Sequence, residues 1–242
     1  KPKNVILVLD GFIQEDVIHL LDKYIKTLPI KKVKIDRNVG LGLALRNGLK
    51  KCVSDIVLRF DTDDINHKDR AYYLVKELAR GSEEIVGSDI YEFIDDPEII
   101  SSIKIMPKSH KDISKSIFIR NPINHPSVGF WKDSIIKLNG GYRNFPLYED
   151  YDLWVRALYS GLRFKNISKP LVAVRISEQR NRRRGIRLIP SEIRLFLTFF
   201  NYSIFHSLLF LPFLLIRIFC AFLPLNIISF IFKAFLRKKL KR

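Results

Sequence analysis

Apolar runs and helical patterns alternate along the first part of the chain. The run from Val5 to Leu9 is typical of a strand that is buried on both faces. A helical pattern follows over about residues 15–28, then a short strand, a glycine-bearing turn with a helix over residues 38–51, and an apolar strand over residues 56–60. This β-α-β-α-β order predicts an α/β fold with a mostly parallel sheet and helices on its faces.

The pattern of elements continues to about residue 161. We expect a helix with Asn66 as its N-terminal cap and Gly81 at its end, followed by a strand over residues 85–90. A last helix is predicted from about Glu149 to Tyr159, where Gly161 ends it. These elements complete the predicted core.

The C-terminal tail is apolar but interrupted. Between Ser203 and Phe232 the only charged residue is Arg217, and Pro212 and Pro224 divide the segment. A spanning helix needs roughly 20 uninterrupted apolar residues, and a central arginine would cost about 2.5–3.5 kcal/mol on insertion scales. The pattern therefore favours two short amphipathic, apolar helices at the membrane interface. A spanning helix and an ordinary core or partner-binding helix are the alternatives.

Composition limits the class of protein. The chain has 242 residues and 47% of them are hydrophobic, so it can bury enough apolar surface to fold and is not intrinsically disordered. Its two cysteines have no second cysteine or histidine at ligand spacing, which argues against a disulfide framework and a zinc site. At this length we expect one α/β domain over residues 1–187 and a membrane-associating helical tail over residues 188–242.

The positive charge is concentrated in the tail. Residues 1–174 carry 28 basic and 23 acidic side chains, whereas residues 175–242 carry 14 and 2, within a formal net charge of +17. Such a field attracts polyanions, either nucleic acid or an anionic membrane. The tail is rich in Leu, Ile and Phe and no nucleic-acid-binding motif accompanies the charge, so we expect an anionic membrane surface and no nucleic acid.

Three carboxylates directly follow the buried strand at residues 56–60. Asp61, Asp63 and Asp64 repel one another unless a cation or a hydrogen-bond network compensates their charges. A divalent ion such as Mg²⁺ binds one or two carboxylates together with phosphate oxygens. The alternative is an Asp-rich turn that caps the next helix. The position favours the metal site, because ligands of open α/β sheets bind at the carboxyl ends of the strands.

A second carboxylate group opens the helix predicted from Glu149. Glu149, Asp150 and Asp152 could simply stabilise the helix N-terminus through the helix dipole. The functional alternative makes one of them a general base that takes a proton from an incoming hydroxyl. Two carboxylate groups, one with a metal and one without, suit transfer of a group from a nucleotide diphosphate to an alcohol.

Several motifs occur together in one order along the chain. They are Asn38-Val39-Gly40-Leu41-Gly42, Arg59-Phe60-Asp61-Thr62-Asp63-Asp64 with Arg70, His125-Pro126-Ser127, Gly140-Gly141-Tyr142, and Glu149-Asp150-Tyr151-Asp152-Leu153-Trp154 with Arg156. In these motifs, from residue 4 to about residue 187, the chain resembles the inverting family 2 glycosyltransferases of the GT-A fold. In its tail and spacing it is similar to the bacterial enzymes that add sugars to capsular, exopolysaccharide or O-antigen intermediates.

The resemblance implies a role for each matching residue. Asp61 and Asp63 match the pair that holds a divalent metal, Mg²⁺ or Mn²⁺, and Asp61 also serves the donor diphosphate. Asp150 matches the base that deprotonates the acceptor, and Glu149 positions it. The other implied donor-binding residues are Asp10, Asn38, Gly40 and Arg70, and the implied acceptor-side residues are His125, Trp154 and Arg183.

Some of these residues keep a second interpretation. His125 could equally be a structural histidine with a satisfied hydrogen bond, and Arg183 with its neighbouring arginines could be a solvated charged face. The resemblance also implies an initial strand and helix before Asn4, which this chain lacks.

The implied reaction is an in-line displacement that inverts the anomeric carbon. Its partners are a nucleotide-diphosphate sugar and a saccharide or polyprenyl-linked acceptor, and its expected location is the cytoplasmic face of the inner membrane, as a peripheral protein. The alternative is a non-catalytic membrane-surface or polyanion-binding remnant of such an enzyme.

Overall fold

The computed structural model describes residues 2–176 and 185–223. The first unit is a parallel pair of strands, β1 (Val5–Asp10) and β2 (Ile30–Ile35), joined by helix α1 (Glu15–Ile25). Helix α2 (Leu41–Lys51) packs against β1, where Gly48 leaves room for the side chain of Val8. The carboxyl end of β1 therefore lies beside the turn that precedes α2.

The second unit is a six-stranded sheet in which β5 is central. Its neighbours run in the order β3-β7-β5-β8-β4, and β6 also pairs with β5. The strands are β3 (Ile56–Leu58), β4 (Ile65–Asn66), β5 (Ile85–Phe93), β6 (Ser102–Lys104), β7 (Gly129–Trp131) and β8 (Phe164–Arg175). The helices after α2 are α3 (Arg70–Leu78), α4 (His110–Ser116), α5 (Lys132–Ile136), α6 (Glu149–Tyr159), α7 (Ile189–Tyr202) and α8 (Ile204–Ala221).

The strand directions are mixed, and the expectation of a mostly parallel sheet is corrected. In the described residues β1–β2 and β5–β8 pair in parallel, whereas the β3–β7, β4–β8, β5–β6 and β5–β7 pairs are antiparallel. The alternation of strands and helices predicts the order of the elements along the chain, but not which strands pair with one another in the sheet. β7 inserts between β3 and β5 although it follows both in the chain, a topology that the sequence pattern does not reveal.

Helix α6 runs through the centre of the apolar core. Its Leu153, Trp154 and Val155 are fully buried, and its bounds agree with the predicted helix. Apolar residues of α7 and α8, including Phe199 and Phe210, belong to the same buried cluster. The described part of the tail is thus packed against the helix that carries the second carboxylate group.

The predicted helix break at Pro212 is wrong. Helix α8 continues through Pro212, which is exposed, while Phe210 and Leu214 are buried against the rest of the protein. A proline removes one backbone hydrogen bond, and the apolar packing on the opposite side of the helix compensates for that loss. By length and composition alone α8 could cross a membrane. Pro224 and the basic residues beyond it lie outside the described residues.

Candidate active site

The first acidic group lies in the turn after β3, where Arg59 holds it. Arg59 is buried and its guanidinium makes two contacts with Asp61, one of them a 2.6 Å hydrogen bond from Nη1 to Oδ2. Its backbone N–H donates to the carbonyl of Val128 at 3.0 Å. The sheet therefore fixes the orientation of Asp61.

The three carboxylates of this turn converge. One oxygen from each of Asp61, Asp63 and Asp64 lies within 4.8 Å of the others. Burial, together with the charges of the other two carboxylates, raises the pKa of Asp64 to about 6. Asp63 is exposed and makes no ion pair within residues 2–176 and 185–223. Because these oxygens repel one another and are hard ligands, the group fits a divalent cation.

Arg70 lies beneath the acidic turn. Its side chain is buried, donates 2.5 Å hydrogen bonds to the carbonyl of Arg59 and to Oδ1 of Asn66, and stacks over the ring of Phe60 at 4.3 Å. The prediction that Asn66 caps the helix is wrong, because Asn66 lies in β4 and α3 begins only at Arg70. Arg70 thus supports the backbone of the turn from the protein interior.

The turn before α2 is held by Asp10 at the end of β1. The Asp10 carboxylate accepts hydrogen bonds from the backbone N–H groups of Val39 at 2.9 Å and Gly40 at 3.1 Å. Gly40 also donates to Oδ1 of Asn38 at 3.1 Å and has a φ of +88°, which favours glycine. Asp10, Asn38 and Gly40 therefore form one ordered turn.

Helix α2 approaches the start of α6 closely. A Cβ atom at Gly42 would lie 2.1 Å from the carbonyl oxygen of Arg143 and 3.1 Å from Cβ of Glu149. Only glycine fits this contact. The contact brings the turn held by Asp10 to the second carboxylate group.

Asp150 is held in place by Asn121. Nδ2 of Asn121 donates a 2.6 Å hydrogen bond to Oδ2 of Asp150, and the backbone N–H of Tyr151 donates to Oδ1 at 2.7 Å. Burial raises the pKa of Asp150, and these two donors oppose that rise. Burial and the neighbouring Asp150 also raise the pKa of the buried Glu149, to about 7. The surroundings of both groups therefore favour the protonated carboxyl more than water does.

His125 is part of the same cluster. One ring nitrogen lies within 4.8 Å of carboxylate oxygens of Glu149 and Asp150, and Nε2 is 2.9 Å from the phenol oxygen of Tyr142. The ring is buried and its pKa lies well below the ordinary value, because burial disfavours the charged imidazolium. Trp154 is fully buried, with its ring centre 6.1 Å from that of His125. His125 is thus neutral and lies close to both the carboxylates and the tryptophan.

Asp152 belongs to a separate, structural network. It is fully buried and pairs with Arg156, whose Nε lies 2.8 Å from Oδ2. Arg156 also donates to the carbonyls of Leu138 at 2.7 Å and Gly141 at 2.8 Å. This network joins α6 to the turn that contains Gly141, and it engages the carboxylate of Asp152.

The two carboxylate groups form one electrostatic unit. Burial is the main cause of the raised pKa of Glu149 and of Tyr142, the charge of Asp61 adds to it, and Arg59 acts on the same groups in the opposite direction. Arg59 is therefore a cation shared by both acidic groups.

Two residues of this site, Arg59 and Asn121, were not predicted from the sequence as site residues. Arg59 stands in the motif Arg59-Phe60-Asp61, where an arginine two positions before an aspartate at a strand end is a usable signal. Asn121 offers no comparable local signal, because its partner Asp150 is 29 positions away. Arg183, predicted on the acceptor side, lies outside the described residues.

The chain matches a known protein family and several known proteins. Residues 1–137 match the family described as glycosyl transferase family 2. The chain is 35% identical over 239 residues to the UDP-Gal:alpha-D-GlcNAc-diphosphoundecaprenol beta-1,3-galactosyltransferase of Escherichia coli, covering 98% of this chain and 86% of that protein. It is 34% identical over 195 residues to the amylovoran biosynthesis glycosyltransferase AmsE of Erwinia amylovora, covering 80% and 72%.

Solved structures share the fold. Staphylococcus aureus TarS 1-349 in complex with UDP-GlcNAc has a TM-score of 0.64 at 15% identity, covering 87% of this chain but only 62% of that one. The mannosyltransferase PcManGT of Pyrobaculum calidifontis, in complex with GDP-Man and Mn²⁺, has a TM-score of 0.60 at 17% identity, covering 96% and 70%. These likenesses confirm the predicted α/β fold of GT-A type.

Proposed function

The chain belongs to glycosyl transferase family 2, and from this premise we propose that it transfers a sugar, with inversion, from a nucleotide-diphosphate donor to a hydroxyl of a lipid-linked saccharide. The observation that carries the proposal is the pair of carboxylate groups, one convergent at Asp61, Asp63 and Asp64 and the other beside His125. They provide separate places for the leaving group and for the attacking hydroxyl.

The donor is bound, in this proposal, at the carboxyl ends of β1 and β3. Asp10, Asn38 and Gly40 form the turn at which the nucleotide would lie, and Asp61 with Asp63 would hold a divalent metal, Mg²⁺ or Mn²⁺. The metal, when bound, neutralises charge that develops on the departing diphosphate. Arg59 orients Asp61, and Arg70, predicted on the donor side, supports the turn from the protein interior.

Asp150 is the general base. It takes the proton from the acceptor hydroxyl while that oxygen attacks the anomeric carbon, and the bond from that carbon to the diphosphate oxygen breaks on the opposite face. The hydrogen bond from Asn121 orients the carboxylate, so that its remaining lone pairs are available to the acceptor. Glu149 and neutral His125 shape the pocket, and Trp154 packs beneath His125.

The acceptor is a saccharide on a lipid carrier, as in cell-surface polysaccharide synthesis. The names of the Escherichia coli and Erwinia amylovora relatives support this, and so does the apolar helix α8 packed against the core that carries Asp150. We propose that residues 1–187 are the catalytic domain and that residues 188–242, with Arg183 just before them, associate with the cytoplasmic face of the inner membrane. The basic residues after position 232 would contribute roughly 1 kcal/mol each on an anionic leaflet.

Analysis of the reaction product tests this function. The full chain is incubated with Mn²⁺, a panel of nucleotide-diphosphate sugars and a GlcNAc-diphosphate acceptor on an alkyl chain, and the new linkage is assigned by NMR. We expect one donor to give a product whose anomeric configuration is the opposite of the donor's. Retention would contradict the mechanism, and transfer from none of the donors would support the non-catalytic membrane-binding alternative.

A further inference from the structure

A second feature of the protein is a cavity of about 690 Å³ that opens beside Glu149. Its lining includes Gly40, Leu41 and Gly42 and the C-terminal end of α8. The cavity thus connects the proposed donor turn and the catalytic carboxylates with the apolar tail helix.

Two arginines line the cavity. Arg217 of α8 donates to Oε2 of Glu192 at 3.0 Å and to the carbonyl of Ile119 at 2.5 Å. Glu192 is buried and also accepts a 2.6 Å hydrogen bond from the phenol of Tyr148, the residue directly before Glu149. This network fixes the end of α8 to the start of α6 and keeps one guanidinium at the cavity wall.

Arg120 is the lining arginine that makes no ion pair with another described residue. It is half-buried, and its contact with a protein acceptor is a 3.4 Å hydrogen bond to the carbonyl of Ile105. In residues 2–176 and 185–223 no carboxylate lies within ion-pair distance of it. This partial burial lowers the pKa of the Arg120 guanidinium. A half-buried cation without a counter-charge favours an anionic ligand.

The rest of the cavity is mainly apolar. Its lining includes Phe145, Leu147, Leu188, Cys220 and Ala221. Close to the last two in sequence, Phe219 of α8 and Phe222 at its C-terminal cap are more than 60% exposed. An anion that fits this cavity therefore carries an apolar chain, which can leave along α8.

We propose that this cavity binds the diphosphate and the first carbons of the acceptor's lipid carrier, with Arg120 as the principal phosphate contact and Arg217 as the second. The ligand class is an alkyl or polyprenyl diphosphate. The inference rests on the proposed function, and it adds which residues hold the lipid end while the sugar end reaches Asp150.

Binding of farnesyl diphosphate to the full chain in detergent tests the inference without any sugar transfer. Excess chelator is present, so that no metal can hold diphosphate at Asp61 and Asp63. We expect Arg120→Gln to weaken binding by about 10-fold or more, since a charge-assisted contact is lost. Arg80→Gln is the matched control, because Arg80 is an exposed arginine outside the cavity, and it should bind like the wild type.

A second variant tests the apolar part. Ala221→Trp fills the cavity without changing its charge, and it should weaken farnesyl diphosphate while leaving the weak binding of inorganic diphosphate unchanged. Thermal unfolding of each variant identifies any that fails to fold, and Arg120→Gln, at a half-exposed position, remains a test if Ala221→Trp is unstable. Equal binding by the Arg120 and Arg80 variants, or equal affinity for inorganic and farnesyl diphosphate, would overturn the inference.

The two proposals fail in different ways. If the chain transfers sugar to a soluble acceptor but does not bind farnesyl diphosphate, this inference is wrong and the proposed function stands. If the chain binds farnesyl diphosphate through Arg120 but transfers no sugar from any donor, the proposed function is wrong and the cavity remains a lipid-diphosphate site.

Discussion

Asn121 donates a 2.6 Å hydrogen bond to the carboxylate of Asp150, across 29 positions of sequence. The bond favours the ionised form of a carboxyl group whose pKa burial otherwise raises. Together with the backbone N–H of Tyr151, which donates to the other oxygen, it fixes the orientation of the carboxylate. Asn121 is therefore a positioning residue for the proposed base.

The first prediction concerns this bond. Asn121→Ala should raise the pKa of Asp150, so the acidic limb of the kcat/KM profile should move to higher pH while donor affinity stays constant. Asn47→Ala is the control, because the side chain of Asn47 donates a hydrogen bond within its own helix, to the carbonyl of Leu43. A pH–rate profile for both variants is the measurement. An unshifted acidic limb in Asn121→Ala would show that Asn121 does not act through Asp150.

The second prediction concerns the divalent metal. Asp63→Asn should weaken binding of a nucleotide diphosphate in the presence of Mn²⁺, because it removes charge from the convergent carboxylates. Asp55→Asn, at the other end of the same strand segment, should bind like the wild type. Calorimetry is the measurement. Equal wild-type affinity with Mn²⁺ and with excess chelator would contradict a metal-dependent donor site.

The third prediction concerns stability against pH. The pKa of Glu149 is about 7 in the folded chain, above the ordinary 4.5, so folding favours its protonated form. This stabilisation is complete below about pH 4.5 and is lost as the pH rises through about 7.

Glu149→Gln replaces the carboxyl group with an amide that does not ionise, so the variant does not lose stability as the pH rises through about 7. Its free energy of unfolding should exceed that of the wild type by about 3 kcal/mol at pH 8, with a much smaller difference at pH 5. Urea unfolding at both pH values measures this difference. A variant that is less stable than the wild type at pH 8 would contradict the assigned environment of Glu149.

The fourth prediction separates structure from chemistry within one helix turn. Asp152→Asn leaves Arg156 buried without its counter-charge and should lower the free energy of unfolding by about 3–5 kcal/mol. Asp133→Asn, at an exposed position of α5, should have little effect. Urea titration gives both values. The folded fraction of Asp152→Asn should keep its specific activity, and a selective loss of kcat there would instead assign Asp152 to catalysis.

The sequence predicts the site's acidic groups better than their surroundings. Asp61 and Asp63 are recognisable because they follow an apolar strand, and helix α6 was predicted with its observed bounds because Gly161 ends it. The partners of these groups are long-range, and a local pattern contains no information about them. Tertiary packing brings Asn121 next to Asp150. Asp152 is also an aspartate in the first turn of α6, but it projects from another side of the helix and pairs with Arg156.

The tail shows the same limit. Pro212 is a valid signal for a helix break in an isolated segment, but packing of Phe210 and Leu214 overrides it. In the sequence, Arg217 is a charged residue that argues against a continuous apolar helix. In the folded protein, its guanidinium donates a hydrogen bond to Glu192, which compensates its charge. The strand partners in the mixed sheet depend likewise on the whole chain.

The most direct test of the central claim is single-turnover transfer by Asp150→Asn at saturating donor, with donor affinity measured on the same sample. General-base catalysis predicts a rate lower by about 10²-fold or more. The donor dissociation constant should stay near that of the wild type, because Asp150 lies on the acceptor side. A transfer rate near the wild-type value would contradict the assignment of Asp150 as the base.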